Sequence, residues 1–330
     1  MRHFLRRLII LLLTLWTTVT INFLIPRLMP GNPAEAMLAK FHGKGPMSPQ
    51  ALHSIEVMLG ISSEGLLKQY SQYWVNVFHF NFGVSYTYFP YSVRHMIAQT
   101  LPWTLVLVGV TTVISFVVGT LLGILSAWRQ GKIFSDMAIT SLFTFTSSFP
   151  YFWFALLCAF FLSYVLNWFP LSGGNAGNMT PSLNFNFLAS AAYHSILPAL
   201  TILVSSIGGW QLGMRNNMLT ALSEDYVTLA KARGLSEMRI ALTYAARNAI
   251  LPNMTGFAMS LGFIVGGSVL TELVFGYPGM GNLLYVAVQN EDFPLMQGIF
   301  LIIVICVVVA NLAADIVNVF IDPRVRRAGE

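Results

Sequence analysis

Charge is what this chain most lacks. Only 9% of its 330 residues are Asp, Glu, Lys or Arg, whereas 55% are hydrophobic and the mean hydropathy is +0.67. Soluble domains carry about a quarter charged residues, so a soluble globular protein is excluded and a polytopic membrane protein is indicated. Cysteine is almost as scarce. Cys158 and Cys306 are the only two, both inside apolar runs, which excludes a disulfide framework and a cysteine metal centre and leaves two buried small hydrophobes. No Gly-x4-Gly-Lys-Ser/Thr phosphate loop is present; Gly43-Lys44-Gly45 and Gly131-Lys132-Ile133 come nearest, and neither fits. The chain has no His-Glu-x-x-His, no paired intramembrane aspartates and no nucleophile-elbow serine. His3, His42, His53, His79, His95 and His194 are scattered without chelating spacing. An enzyme is not expected, and neither is a cofactor or metal held by this chain.

What remains is apolar length. Six candidate spans stand out, at about 8–28, 100–127, 137–167, 195–216, 252–275 and 295–320. The first follows Arg2, Arg6 and Arg7 and lacks a small-x-small cleavage site, so it reads as a retained anchor. A single transmembrane domain over residues 1–330 leaves no room for a sizeable soluble one. With the N-terminus cytoplasmic, 13 of the 18 Lys and Arg residues fall on the cytoplasmic side, as the positive-inside rule requires. Both termini and residues 217–250 then face the cytoplasm, in a cell membrane crossed several times. The net charge of +5 is thus an orientation signal rather than a sign of nucleic-acid binding. The outer loop 30–95 carries Tyr70, Tyr73, Trp74, Phe78, Phe80, Phe82, Tyr86, Tyr88, Phe89 and Tyr91, an aromatic set suited to the membrane interface. Pro46–Leu52 opens a short helix there, and Gly173–Asn178 reads as a flexible outer turn.

Intramembrane features are mostly structural. Pro150, following Ser147-Ser148-Phe149, is expected to kink the third span, with serine hydroxyls satisfying the freed carbonyls. Asn311, Asp315 and Asn318 share one face of the sixth span, where Asp315 is expected to pair or cap locally. Glycine pairs at four-residue spacing (Gly119/Gly123, Gly209/Gly213, Gly262/Gly266) let helices approach closely. Static packing suits the first two pairs. Gly262, Gly266 and Gly267 follow the polar island directly and are candidates for the translocation path or its gate.

That island, between the fourth and fifth spans, carries the chemistry. Ser223 is expected to cap a short helix with Glu224 and Asp225 in its first turn and Lys231 and Arg233 in its last. Gly234 ends it in a left-handed cap, and Ser236 opens a second helix toward Pro252. Tyr226, Leu229 and Ala230 share one face by i, i+3, i+4 spacing, a stripe able to enter a groove on another protein. On the residues alone, an amphipathic helix lying on anionic lipid fits equally well.

The run Asp225-Tyr226-Val227-Thr228-Leu229-Ala230-Lys231-Ala232-Arg233-Gly234-Leu235-Ser236, followed by Arg247–Pro252, resembles the coupling segment of ABC importer permeases of the dipeptide/oligopeptide branch. Pro30-Gly31-Asn32-Pro33, Phe82-Gly83-Val84-Ser85, Glu272–Gly281, Asp292-Phe293-Pro294 and Asp322-Pro323-Arg324 resemble further blocks of that family, in order along nearly the whole chain. Asn32 stands where an aspartate is usual, and Thr228-Leu229-Ala230 stands where the wider family has glutamate-alanine-alanine. The resemblance implies an all-α type I importer fold that works by alternating access. Its implied partners are a second homologous permease, two cytoplasmic ATPase subunits holding ATP and Mg, and an extracytoplasmic substrate-binding protein. Contact with the ATPases would fall on Glu224, Asp225, Tyr226, Leu229, Ala230, Lys231, Arg233, Gly234, Leu235 and Ser236. Implied cargoes are di- and oligopeptides first, then oligosaccharides or nickel complexes. An ion-coupled secondary transporter is the alternative from another class; it would usually show internal repeats, broken helices and midplane charges.

Overall fold

The computed structural model describes residues 2–28, 65–131, 136–177, 179–266 and 268–321. Residues 30–33, 46–52 and 322–324, Asn178 and Gly267, all singled out above, lie outside the described residues, as do the side chains of Asp315 and Asn318. Among the described residues every regular element is helical, with one isolated antiparallel bridge between Val84 and Ser92 in the connections. The elements are α1 (Arg2–Leu28), α2 (Leu66–Phe78), α3 (Val93–Trp128), α4 (Ala138–Ser148), α5 (Tyr151–Val165) and α6 (Phe185–Leu222). They continue with α7 (Asp225–Ala232), α8 (Arg247–Phe263), α9 (Val269–Val274), α10 (Met280–Gln289) and α11 (Phe293–Ile321). A helical turn Glu237–Arg239 and a π-helical stretch Ile240–Ala246 lead into α8.

Four helical runs are long and apolar enough to cross a membrane: Val93–Trp128, Phe185–Leu222, Glu237–Val274 and Phe293–Ala313. The pair α4 and α5 passes the same test together but is bent by 90°, and Ile9–Ile25 is a shorter apolar helix. Pro150 thus does more than kink its helix. Phe149 is extended (φ −78°, ψ 136°), the conformation proline imposes on the residue before it, and α5 starts afresh at Tyr151. The hydroxyls of Ser147 and Ser148 both donate to the Thr144 carbonyl, at 3.1 and 2.7 Å, one turn back inside α4, and not, as expected, to the carbonyls that the proline frees. Pro102, Pro198 and Pro252, by contrast, sit inside unbroken helices.

The centre of the fold is the pairing of α3 with α6. A Cβ added to Gly119 would lie 2.5 Å from the Trp210 Cβ, and one on Gly123 would lie 2.6 Å from the Gln211 carbonyl oxygen. Only glycine permits this approach. On α6 the tightly packed glycine is Gly208, against the Phe143 carbonyl of α4; Gly209 has open space where a Cβ would go. The four-residue spacing therefore locates the contact face of α3 and misses that of α6 by one residue. Toward the end of the bundle away from the polar island, Val93, Met96 and Ile97 pack with Met280, Leu283, Phe293, Leu295 and Ile299. Toward the polar island, Met214 and Met218 pack among alanines: Ala127, Ala241, Ala245 and Ala249. Cys158 is buried beside Ala155, Leu197 and Phe275; it and Cys306 are free thiols.

Part of the outer aromatic set ties helices together. The Thr20 hydroxyl and the Tyr70 phenol lie 2.7 Å apart, and the Asn22 amide donates to the Tyr73 hydroxyl at 3.1 Å. Asn22 and Gln297 exchange side-chain-to-carbonyl bonds in both directions, at 2.8 and 3.0 Å, which fixes α1 on α11. Buried amides paired this way hold register without leaving an unsatisfied group in hydrocarbon.

Candidate coupling segment and translocation path

The island folds as a short hairpin at the end of α6. The Ser223 hydroxyl donates back to the Thr220 carbonyl at 2.8 Å, so it closes α6 instead of opening α7. Glu224 takes the N-cap position of α7 in extended conformation (φ −75°, ψ 152°), without a side-chain cap. The difference arises because α6 runs on to Leu222 and its last carbonyls claim the nearest hydroxyl. Asp225 lies in the first turn of α7 and Lys231 in the last, each at the end the helix dipole favours.

At the other end the geometry is a Schellman motif. Gly234 has φ +73°. Its N–H donates to the Lys231 carbonyl at 2.9 Å, and the Leu235 N–H donates to the Ala230 carbonyl at 3.3 Å. These are the 5→2 and 6→1 bonds of that motif, with Leu235 folding back onto the helix as its hydrophobic partner. Ser236 is then extended (φ −63°, ψ 144°), and its carbonyl accepts from Ile240 as the chain turns into the next helix.

A small core holds the hairpin together. Val227, Ala230 and Ile240 are buried, with Leu222, Tyr226, Leu235 and Tyr244 packed around them. The expected stripe of Tyr226, Leu229 and Ala230 is thereby divided. Tyr226 and Ala230 turn inward, and Leu229 stands 55% exposed on the opposite side. Around Leu229, the residues Glu224, Asp225, Lys231, Arg233, Gly234 and Ser236 are all exposed. Met238, which periodicity did not single out, is 57% exposed just beyond the turn. The signal that marks it in the sequence is a lone large apolar residue between Glu237 and Arg239. The hairpin thus presents two apolar side chains ringed by both signs of charge.

Behind the hairpin lies an ion pair that the sequence reading did not foresee. Arg215 grips Asp136 with two bonds, Nε to Oδ1 at 2.8 Å and Nη2 to Oδ2 at 3.0 Å. Asp136 also accepts from the Gly131 amide and from Thr140. The Arg215 bond holds this carboxyl below the usual carboxylate range against the opposing effect of burial. Gln211, one turn along α6, bonds Ser126 and Thr140. The base of α4 is therefore clamped to α3 and α6 beside the island.

Of the candidate path glycines, Gly262 packs on α11, where an added Cβ would lie 2.9 Å from the Ala310 Cβ. Gly266 is looser, 3.9 Å from an Ile303 methyl by the same measure. Both lie against α11 at the point where α8 gives way, through the 3₁₀ turn Ile264–Gly266, to α9.

Two blocks that look unrelated along the chain are joined in space. The buried Glu272 carboxylate accepts from the Thr104 hydroxyl at 2.9 Å, from the Gly281 amide at 2.7 Å and from the Asn282 amide at 3.1 Å. It therefore caps α10 from below, and Thr104 in turn accepts from the Met280 amide at 2.7 Å. A Cβ on Gly279 would strike the Glu272 carboxylate, and one on Gly281 would lie 2.6 Å from the Val269 Cα. Asp292, also buried, accepts from Ser85 and from the Thr87 amide, and its other oxygen caps α11 through the Leu295 amide.

Comparison with known proteins agrees with this architecture. The family profile described as "Binding-protein-dependent transport system inner membrane component" matches residues 119–327. The chain is 31% identical over 334 residues to the di/tripeptide transport system permease protein DppB of Pseudomonas aeruginosa, covering 97% of each. It is 33% identical over 311 residues to the oligopeptide transport system permease protein AppB of Bacillus subtilis, covering 92% of this chain and 93% of the relative.

Proposed function

The chain belongs to the binding-protein-dependent transport system inner membrane components, and from that premise we propose that it is the permease of an ATP-driven importer of di- or oligopeptides. Both compared relatives are named for peptides, which ranks peptide ahead of the oligosaccharide and nickel-complex readings. In this reading six crossings leave both termini in the cytoplasm, with α1 as one crossing and the bent pair α4–α5 as another. A second homologous permease completes the membrane unit. Two ATPase subunits bearing ATP and Mg bind below, and a substrate-binding protein delivers cargo from outside.

One observation carries the coupling role: α7 ends in a Schellman turn at Gly234 and folds onto the entry to α8, with Leu229 and Met238 outward. The hairpin has its own small core and continues into the run Glu237–Val274. A push on Leu229 is thus transmitted as a rigid displacement instead of being absorbed by a loop. ATP-driven closure of the ATPase pair would move the hairpins and rock the spans between inward-open and outward-open states.

The test is Gly234→Val beside Gly234→Asn, both assayed in the complete complex. An added Cβ meets nothing within 4 Å, so the cost lies in the backbone alone. That cost is about 1 kcal/mol or more for a β-branched residue and less for asparagine, which tolerates the left-handed region. The expected result is normal membrane abundance for both, with ATP-dependent peptide uptake impaired in Val and retained in Asn. A charge reversal, Lys231→Glu with Arg233→Glu, should weaken co-purification of the ATPases. Normal uptake by Gly234→Val together with unchanged assembly of the reversed variant would overturn the coupling role.

A further inference from the structure

The break between α4 and α5 and the start of α9 face one cavity. It measures about 390 Å³ and is lined by Ser147 and Tyr151 on either side of the Phe149–Pro150 break, by Ser205 and Ser206 of α6, and by Ser268 at the start of α9. Its distance from the clamp follows from helix geometry. α4 has 11 residues and begins beside the Asp136–Arg215 clamp, so its broken end lies about 16 Å further on, roughly half the hydrocarbon thickness. Ser205 and Ser206 lie near the midpoint of the 38-residue α6. Interrupted backbone at membrane depth is tolerated only where protein covers it or where it lines a water-filled space. The exposed hydroxyl face of α4, formed by Ser141, Thr144, Ser147 and Ser148, would be costly against lipid for the same reason.

The chemistry of the lining is specific. No carboxylate, ammonium or guanidinium is among its residues. Ser147 and Ser205 spend their protons on the carbonyls of Thr144 and Thr201, and Ser268 donates to the Thr271 hydroxyl. These three serines therefore offer lone pairs, while the Ser206 hydroxyl has no partner among the described residues. Neutral acceptors beside two hydroxyls free of partners among the described residues, those of Ser206 and Tyr151, match groups every peptide shares, its main-chain amides, and leave side-chain charge unread. The volume lies within the range of small-ligand sites.

We infer that this serine-lined cavity is the part of the translocation path that receives the peptide main chain, with the break at Pro150 providing room for it to pass. This rests on the peptide-permease reading above. The test uses the complete complex in proteoliposomes, with Cys158 and Cys306 replaced by alanine. Ser206→Cys should react with a membrane-impermeant methanethiolsulfonate at least tenfold faster than Leu121→Cys, a control on the exposed apolar face of α3. Trapping the ATP-bound state should change that rate. Ser206→Leu, which fills the cavity, should lower peptide uptake at least tenfold while the ATPases and the binding protein still co-purify. Labelling no faster than the Leu121→Cys control, or normal uptake by Ser206→Leu, would overturn the inference. If the unaltered complex moves no peptide while Ser206→Cys still labels, the peptide assignment falls and a water-filled passage for another cargo remains.

Discussion

The hydroxyl of Ser85 donates to the carboxylate of Asp292 across 207 residues of chain, joining the outer loop to the first turn of α11. Asp292 is fully buried and accepts on both oxygens, from Ser85 and Thr87 on one side and Leu295 on the other. The arrangement requires an acceptor-only group.

Asp292→Asn turns one of those oxygens into a donor facing a donor. Leaving a buried group unsatisfied costs about 1–3 kcal/mol, more where the lost partner was charged. Ser85→Ala removes one of the three bonds to Asp292 and also the acceptor of the Tyr88 amide, but it sets no donor against a donor and should cost less. Thermal unfolding of the purified protein in detergent checks both, with Asp292→Asn expected to unfold at the lower temperature. Equal stabilities would show that the outer loop does not depend on this joint.

Gly208 and Gly209 are neighbours with opposite expectations. A methyl on Gly208 would overlap the Phe143 carbonyl and crowd Ser147, whereas Gly209 has nothing within 4 Å. Gly208→Ala should therefore destabilise by about 1–3 kcal/mol as α4 is forced off α6. Gly209→Ala should be neutral or slightly stabilising, since alanine is the better helix former. The comparison is read in one melting experiment with both variants in the same detergent.

The Asp136–Arg215 clamp makes part of the stability depend on pH. Asp136 has a folded-state pKa below its ordinary value, so the unfolded chain takes up the proton first as pH falls. Its contribution is full above about pH 5 and is lost as pH drops through and below the ordinary carboxylate range near 3.9. The stability gap between the native protein and Asp136→Asn should accordingly be constant near neutrality and close on acidification. A gap that does not change with pH would mean that Asp136 acts only as a neutral hydrogen-bond acceptor.

How much of this was legible beforehand depended on range. The left-handed turn at Gly234 is local, written in a glycine after a cationic last turn, and the structure has it at φ +73°. The spanning helices follow from apolar length. What escaped the sequence reading is tertiary. Ser85 with Asp292, and Thr104 with Glu272, meet only because the ends of α3, α9, α10 and α11 converge at one end of the bundle. Leu229 and Ala230 part company because α7 has only eight residues and its inner face is claimed by Ile240 and Tyr244. Periodicity identifies an apolar side, but it does not say how much of that side the protein keeps for itself. Pro150 was expected to bend a span; that it divides one follows from the extended Phe149.

The tight collar around Glu272 has a genetic corollary. Gly279 and Gly281 leave no room for even one methyl group beside that carboxylate, so a lesion at either is not repaired by drift at distant sites. Second-site revertants of Gly281→Ala should fall at Glu272, whose side chain can give way, and not at Val269, whose closest atoms are backbone Cα and N, so that Gly281 and Glu272 mutate together or not at all.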